Sequence, residues 1–242
     1  MSSTIDYPRL YRWTRDEYFQ MNDLGWFRGQ KVELIGGEVL VHPGLDAEPP
    51  GAEKLPARRW TREEFFQMLD LGWFQGRRVA LIDGEVLEMP AQKDYHGAAV
   101  TLTMDALRLV FGRGFWVRNQ MSLDLSPRSV PDPDLAVVPG SPRGVTATSA
   151  TPTSALLVVE IAETTLGYDR SHKGSLYAAG GITDYWIVNL VQRQLEVYRD
   201  PVADSTQLFG FRYNSRIILD ASDKVSPLAA PHASIIVADL LP

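Results

Sequence analysis

The sequence predicts an α/β or α+β sheet domain, and three observations carry that expectation. "ALLVVEIAE", residues 155–163, is the most apolar run in the chain, as a central strand buried on both faces requires. "DYHGAAVTLTMDALRLVFG" precedes it, with Val100, Met104, Leu107 and Val110 at helical spacings of three and four. "DYWIVNL" and "QLEVYRD" follow it and read as strands, with one more helix inserted before them.

The first element is written twice. "RWTRDEYFQMNDLGWFRGQKVELIGGEVL" (12–40) returns 47 residues later as "RWTREEFFQMLDLGWFQGRRVALIDGEVL" (59–87), identical at 21 of 29 positions. Each copy opens with a T-x-x-E capping box, Thr14 with Glu17 and Thr61 with Glu64. A short helix follows, with Phe19 or Phe66 and Met21 or Met68 among its apolar residues, and "DLGW" supplies a Gly stop. In copy two "VALIDGEVLEM" sets Asp-Gly between β-formers, a hairpin signal. The unit therefore reads helix, strand, turn, strand. Two copies are too few for a solenoid, which needs about three units. "VHPGLDAEPPGAEKLPA" between them has linker composition. The expected division is a duplicated element at 1–41, a linker at 42–58 and one domain at 59–242.

Downstream, "FWVRNQMSLDL" reads as a strand, "SPRSVPDP" as a loop and "DLAVVPG" as a short buried strand. "SPRGVTATSATPTS" is loop-like, and "YDRSHKGSLYAAGG" reads as a helix ending at Gly180 and Gly181. "FGFRYN", "RIILD" and "SIIVADLL" are expected to add further strand.

Composition narrows the function classes. Apolar residues make up 45% of the chain, enough for a sizeable core. Cysteine is absent, which excludes disulfides and thiolate metal sites. No apolar run reaches membrane-spanning length and "MSSTIDYPRLYRW" lacks a signal core, so a cytoplasmic protein is expected. The net charge of −6 requires any phosphate-binding patch to be local.

Two acidic residues stand out by their setting. Asp134 heads "DLAVV", and Glu160 interrupts "ALLVVEIA". A carboxylate in such a run needs a partner or a cation. Two carboxylates meeting at one sheet end suit a hard divalent ion, which polarises phosphoryl oxygens. Lys173, on the next helix, is the nearest cation able to position water or stabilise developing charge. Other readings stay open. Asp134 after Pro133 suits a turn hydrogen bond, and Asp132 is an alternative to it. Glu160 could pair with a strand-end cation, and Lys173 could be solvated. His96 suits a helix start, and His172 has no metal-spaced partner. Tyr177, Tyr185 and Trp186 fit core packing.

Taken jointly, "ALIDGE", "DYHGAAV", "PDPDLAVV" and "VVEIAETTLGYDRSHKGSLYAAGGITDYWIVNL" resemble the Uma-type family of restriction-endonuclease-like proteins, within the PD-(D/E)XK nucleases. The resemblance covers roughly residues 59–200. It implies a restriction-endonuclease-like α/β core, a mixed central sheet flanked by helices. It also implies a metal-dependent endodeoxyribonuclease using Mg2+ or Mn2+ on DNA, working as a homodimer. Asp134 and Glu160 match the family's metal-binding carboxylates. Lys173 matches a helix lysine that replaces the usual motif lysine, whose position falls at Ala162. Gln120 matches a family glutamine, and Glu85 and His96 lie in matching segments as accessory candidates. The family's "ELIDGE" glutamate falls at Ala80 in copy two, whereas copy one keeps it as Glu33. Two further readings follow from that departure. The fold could serve binding or assembly with weakened catalysis, or Glu33 could be supplied across a swapped dimer.

Overall fold

The computed structural model describes residues 7–42, 55–146 and 148–242. Most of the linker expected at 42–58, residues 43–54, lies outside the described residues. Among the described residues, contacts divide the chain into two units: those within 8–89 with 127–129, and residue 7 with those within 90–126 and 130–242. By these contacts copy two groups with copy one.

In the first unit, β1 (Arg9–Leu10) precedes α1 (Arg15–Asp23), β2 (Val32–Ile35) and β3 (Glu38–Val41). Copy two supplies α2 (Arg62–Asp70), β4 (Val79–Ile82) and β5 (Glu85–Glu88). Both capping boxes form: Thr14 and Thr61 accept from the Glu17 and Glu64 amides, and each glutamate accepts from its threonine's amide. Each hairpin turns through two residues of positive φ, Gly36–Gly37 and Asp83–Gly84, as a tight I′-like connection demands. A Cβ on Gly84 would lie 2.8 Å from Arg59 Cβ and 3.1 Å from Trp60 backbone, so that position requires glycine. β2 pairs only with β3, whereas β4 and β5 are joined by β1 in a three-stranded sheet, order β1-β5-β4.

The second unit is built on a mixed six-stranded sheet, the expected α/β architecture. Its strands are β6 (Phe115–Asn119), β7 (Leu135–Pro139), β8 (Leu157–Ala162), β9 (Asp184–Asn189), β10 (Gln194–Ala203) and β11 (Phe211–Asp220), adjacent in sequence order. Only β8 and β9 are parallel. Parallel neighbours need a crossover, supplied by α4 (Leu166–Tyr168), a π-helical turn (Asp169–Lys173) and α5 (Gly174–Ala179). The helix α3 (Asp94–Phe111) leads into β6, and the two-stranded pair β12 (Lys224–Val225) and β13 (Ile235–Ile236) closes the chain.

Strand alternation sorts the core onto the two sheet faces. Leu157, Val159 and Ile161 pack with Ala99, Val100 and Leu107 of α3. Val158 and Ala162 pack instead with Tyr177 of α5 and Tyr185 of β9. Glu160 falls between Val158 and Ala162 in parity, so β8 aims it at the α5 side.

Two expectations give way. The strand from "FWVRNQMSLDL" stops at Asn119, because Gln120 has a φ of 50°, a left-handed conformation that breaks strand geometry. "SIIVADLL" yields only the two residues of β13 before a 3-10 turn at Val237–Leu240. Among the described residues, no helix is long and apolar enough to cross a membrane.

Glu196 shows how this unit tolerates another buried carboxylate. Fully buried on β10, it is held by Arg170 at 2.5 Å, Arg216 at 2.9 Å and the Tyr198 hydroxyl at 2.7 Å. Burial alone would raise its pKa. Hydrogen bonds from Arg170, Tyr198 and Asn189 outweigh that and hold it at about 2. A depressed carboxylate stabilises the fold above its unfolded pKa, near 4.5, and loses that contribution as pH falls toward 2. Glu196→Gln is therefore expected to flatten this acid limb by about 3 kcal/mol, read by chemical denaturation at several pH values.

Candidate active site

The chain ends of β7 and β8 bring two carboxylates together. Asp134, immediately before β7, accepts from the Ile161 amide of β8 through Oδ2 at 2.9 Å. Its own amide donates to Glu160 Oε2 at 3.3 Å. Asp134, rather than Asp132, therefore carries the tie to the central strand. Its Oδ1 faces three side chains: Gln92 at 3.1 Å, His96 at 3.2 Å and Gln120 at 3.5 Å. His96 comes from the first turn of α3, and Gln120 is aimed by the left-handed backbone that ends β6.

Glu160 is bound from the other side. Lys173 Nζ lies 2.8 Å from Oε2, and the Tyr177 hydroxyl donates to Oε1 at 2.6 Å. Lys173 also sits 3.3 Å from Asp169 Oδ1, while Thr165 donates to Asp169 Oδ2 at 2.6 Å. The π-helical turn sets this register. A π turn widens the helix by one residue and commonly re-aims side chains at functional sites. Here the crossover brings Lys173 and Tyr177 onto one carboxylate. Ala162, the usual lysine position in the resemblance, is fully buried at the end of β8.

Asp134, Glu160, Asp169 and Lys173 are all buried; Glu160 and Asp169 share the Lys173 ammonium, and Asp134 faces His96. Burial would raise the Asp134 carboxyl. The hydrogen bond and charge of His96, aided by Lys173, outweigh burial and hold it below the ordinary range. Glu160 behaves oppositely: burial, reinforced by Asp134 and Asp169 against the pull of Lys173, pushes it up to about 7. Asp169 is also raised, chiefly by burial. Burial works against the Lys173 ammonium, yet Glu160, Asp169 and Asp134 together raise its pKa. Lys173 therefore stays protonated and supplies charge; it is no proton acceptor.

Of the residues singled out in the sequence, Asp134, Glu160, Lys173, His96 and Gln120 come together. Glu33 and Glu85 belong to the other unit, where each has a side-chain partner. Glu33 lies 2.7 Å from His42, and Glu85 lies 2.8 Å from Arg59. His172 stacks on Tyr168 with centroids 4.8 Å apart. Three members went unrecognised in the sequence. Gln92 precedes the helix and carries no pattern. Asp169 and Tyr177 flank Lys173 at intervals of four, a same-face helical spacing that could have found them.

The family described as "Uma2: Putative restriction endonuclease" matches residues 62–233. No curated protein matches. Among solved structures, "a putative nuclease belonging to DUF820" from Anabaena variabilis is similar with a TM-score of 0.55 and 15% identity. That match covers 74% of this chain and 96% of the other. At this identity the likeness is one of fold.

Proposed function

This chain belongs to the Uma2 family of putative restriction endonucleases, and on that premise we propose that it hydrolyses DNA phosphodiester bonds with Mg2+ or Mn2+ at Asp134, Glu160 and Lys173. One observation carries the reading: a buried ammonium 2.8 Å from Glu160, whose neighbouring strand presents Asp134. The donor set fits a hard cation. Glu160 and Asp169 share the Lys173 ammonium while Asp134 faces His96, so three buried carboxylates meet two cationic groups, a surplus that a divalent ion would neutralise. Asp134 and Glu160 would hold it. Two carboxylates, completed by water and substrate phosphate, are an ordinary setting for Mg2+. Among the described residues, no group of three His, Asp or Glu forms a metal cage. Once bound, the ion would polarise a phosphoryl oxygen and lower the pKa of a bound water.

The protein's own groups have distinct tasks. Lys173 neutralises charge developing on the phosphate, a role its raised pKa suits. His96 keeps Asp134 ionised. Gln92, His96 and Gln120 border Asp134 with polar atoms suited to a phosphate or sugar. Local contacts of this kind also fit a chain whose net charge of −6 gives no general attraction for DNA.

The test is cleavage of supercoiled plasmid with Mg2+ or Mn2+. Wild type is expected to cut, and Asp134→Ala to cut about 10²–10³-fold more slowly. Equal nicking by wild type, Asp134→Ala and Glu160→Ala would remove the nuclease reading. A folded wild type that neither cuts nor binds either ion by calorimetry would favour a binding or assembly role instead.

A further inference from the structure

We propose that the surface between the two repeat copies is a two-fold self-pairing surface, closed within this chain by copy one in the place that copy two of a second chain would take. The contacts repeat under a shift of 47 residues with the partners exchanged. Leu10, ahead of copy one, pairs with Leu87 of copy two's hairpin; Ala57, ahead of copy two, pairs with Leu40 of copy one's hairpin. The Tyr11 amide donates to Val86 O at 2.8 Å, and the Arg58 amide to Val39 O at 2.7 Å. Each lead-in segment has thus left its own copy to complete the other's hairpin.

The rings obey the same exchange. Trp13 meets its own equivalent Trp60, with centroids 5.1 Å apart, and Trp26 meets its equivalent Trp73 at 5.6 Å. A residue touching its own counterpart marks a two-fold axis, as in an isologous dimer. The cross pairs agree, with Trp13–Trp73 at 6.2 Å and Trp26–Trp60 at 6.0 Å. A small cavity beside them is lined by five residue pairs, each related by the same shift.

Copy two is chemically able to pair with another copy two. Its lead-in already shows every contact it would need: Ala57 with Leu40, the Arg58 amide with Val39 O, Arg58 over the Phe27 ring, and the Arg58 guanidinium on Trp26 O. Each of those receiving residues has an identical equivalent in copy two: Leu87, Val86, Phe74 and Trp73. The homodimer expected from sequence is, on this face, replaced by an intrachain pair. This inference rests on contacts of the first unit alone and is independent of the nuclease reading.

Sedimentation of the full chain tests it. Wild type is expected to run as a 27.0 kDa monomer. Tyr11→Pro with Trp13→Ala removes copy one's strand and axial ring, and is expected to produce a concentration-dependent dimer. Adding Trp60→Ala should return that variant to monomer. A folded double variant that stays monomeric, or a dimer that survives Trp60→Ala, would overturn the proposal. Cysteine trapping is an independent test, with no background from native cysteine. Leu40→Cys with Ala57→Cys, and separately Leu10→Cys with Leu87→Cys, should each oxidise within one chain. Crosslinks between chains, or none, would also overturn it.

Discussion

Lys173→Met is expected to lower stability by about 3–5 kcal/mol at neutral pH, the range seen when one partner of a buried ion pair is removed. For a chain of this length that corresponds to a fall in melting temperature of roughly 10 °C. The reason is local. Glu160, Asp169 and Asp134 are all buried, and the Lys173 ammonium lies 2.8 Å from the first and 3.3 Å from the second. Removing it takes away the cation that Glu160 and Asp169 share, while Asp134 keeps His96. Their remaining recourse is to take up protons, and Glu160 already does so near 7 with Lys173 present, so the loss should shrink as pH falls through about 7. Lys173→Arg keeps the charge and should recover part of the stability. A Lys173→Met protein as stable as wild type between pH 5 and 8 would show that the ammonium does not hold the carboxylates together. On the nuclease reading, the same variant should also cut plasmid about 10²–10³-fold more slowly, because its charge is missing where phosphate charge develops.

How much of this was legible in sequence depends on how local each signal is. The capping boxes and hairpin glycines are written within a few residues, and both copies form the expected helix and hairpin. Glu160 was legible because a carboxylate inside an apolar strand is costly and therefore noticeable. Lys173 was legible through the resemblance, with Ala162 standing empty of charge. Asp169 and Tyr177 were hidden by their ordinary appearance on a helix; only the crossover from β8 reveals that Tyr177 meets Glu160 and that Asp169 shares its lysine. The exchange of lead-in segments was hidden more deeply. β1 is two residues long, carries no alternation, and pairs with a strand almost 80 positions away in sequence. Gln92 meets Asp134 across 42 positions, again a pairing that only the folded sheet creates. Non-local contacts of this kind leave no period in the sequence, and both the site's rim and the division into units depend on them.

Glu160→Gln is expected to separate stability from activity. In the protein without a divalent ion, burial and the neighbouring carboxylates raise the Glu160 pKa to about 7. The unfolded chain releases this proton near 4.5, while the native state keeps it up to about 7. Native protein therefore binds more protons across that window, and this group's contribution to stability is lost as pH rises through it. The loss amounts to about 3 kcal/mol at pH 8, at the ordinary conversion from pKa to free energy. Glutamine keeps an acceptor for Tyr177 and removes the charge, so Glu160→Gln should melt several degrees above wild type at pH 8 and close to it at pH 5. On the nuclease reading the gain should shrink when Mg2+ or Mn2+ is added, because an ion that binds only the native wild type stabilises it by mass action. On the nuclease reading, plasmid cleavage by the variant should fall about 10²–10³-fold. The two readouts are independent. A variant less stable than wild type at pH 8 would mean that Lys173 fully compensates the Glu160 charge in the native fold. A variant that is more stable and still cuts at the wild-type rate would leave Glu160 a structural carboxylate and return the catalytic role to Asp134 alone.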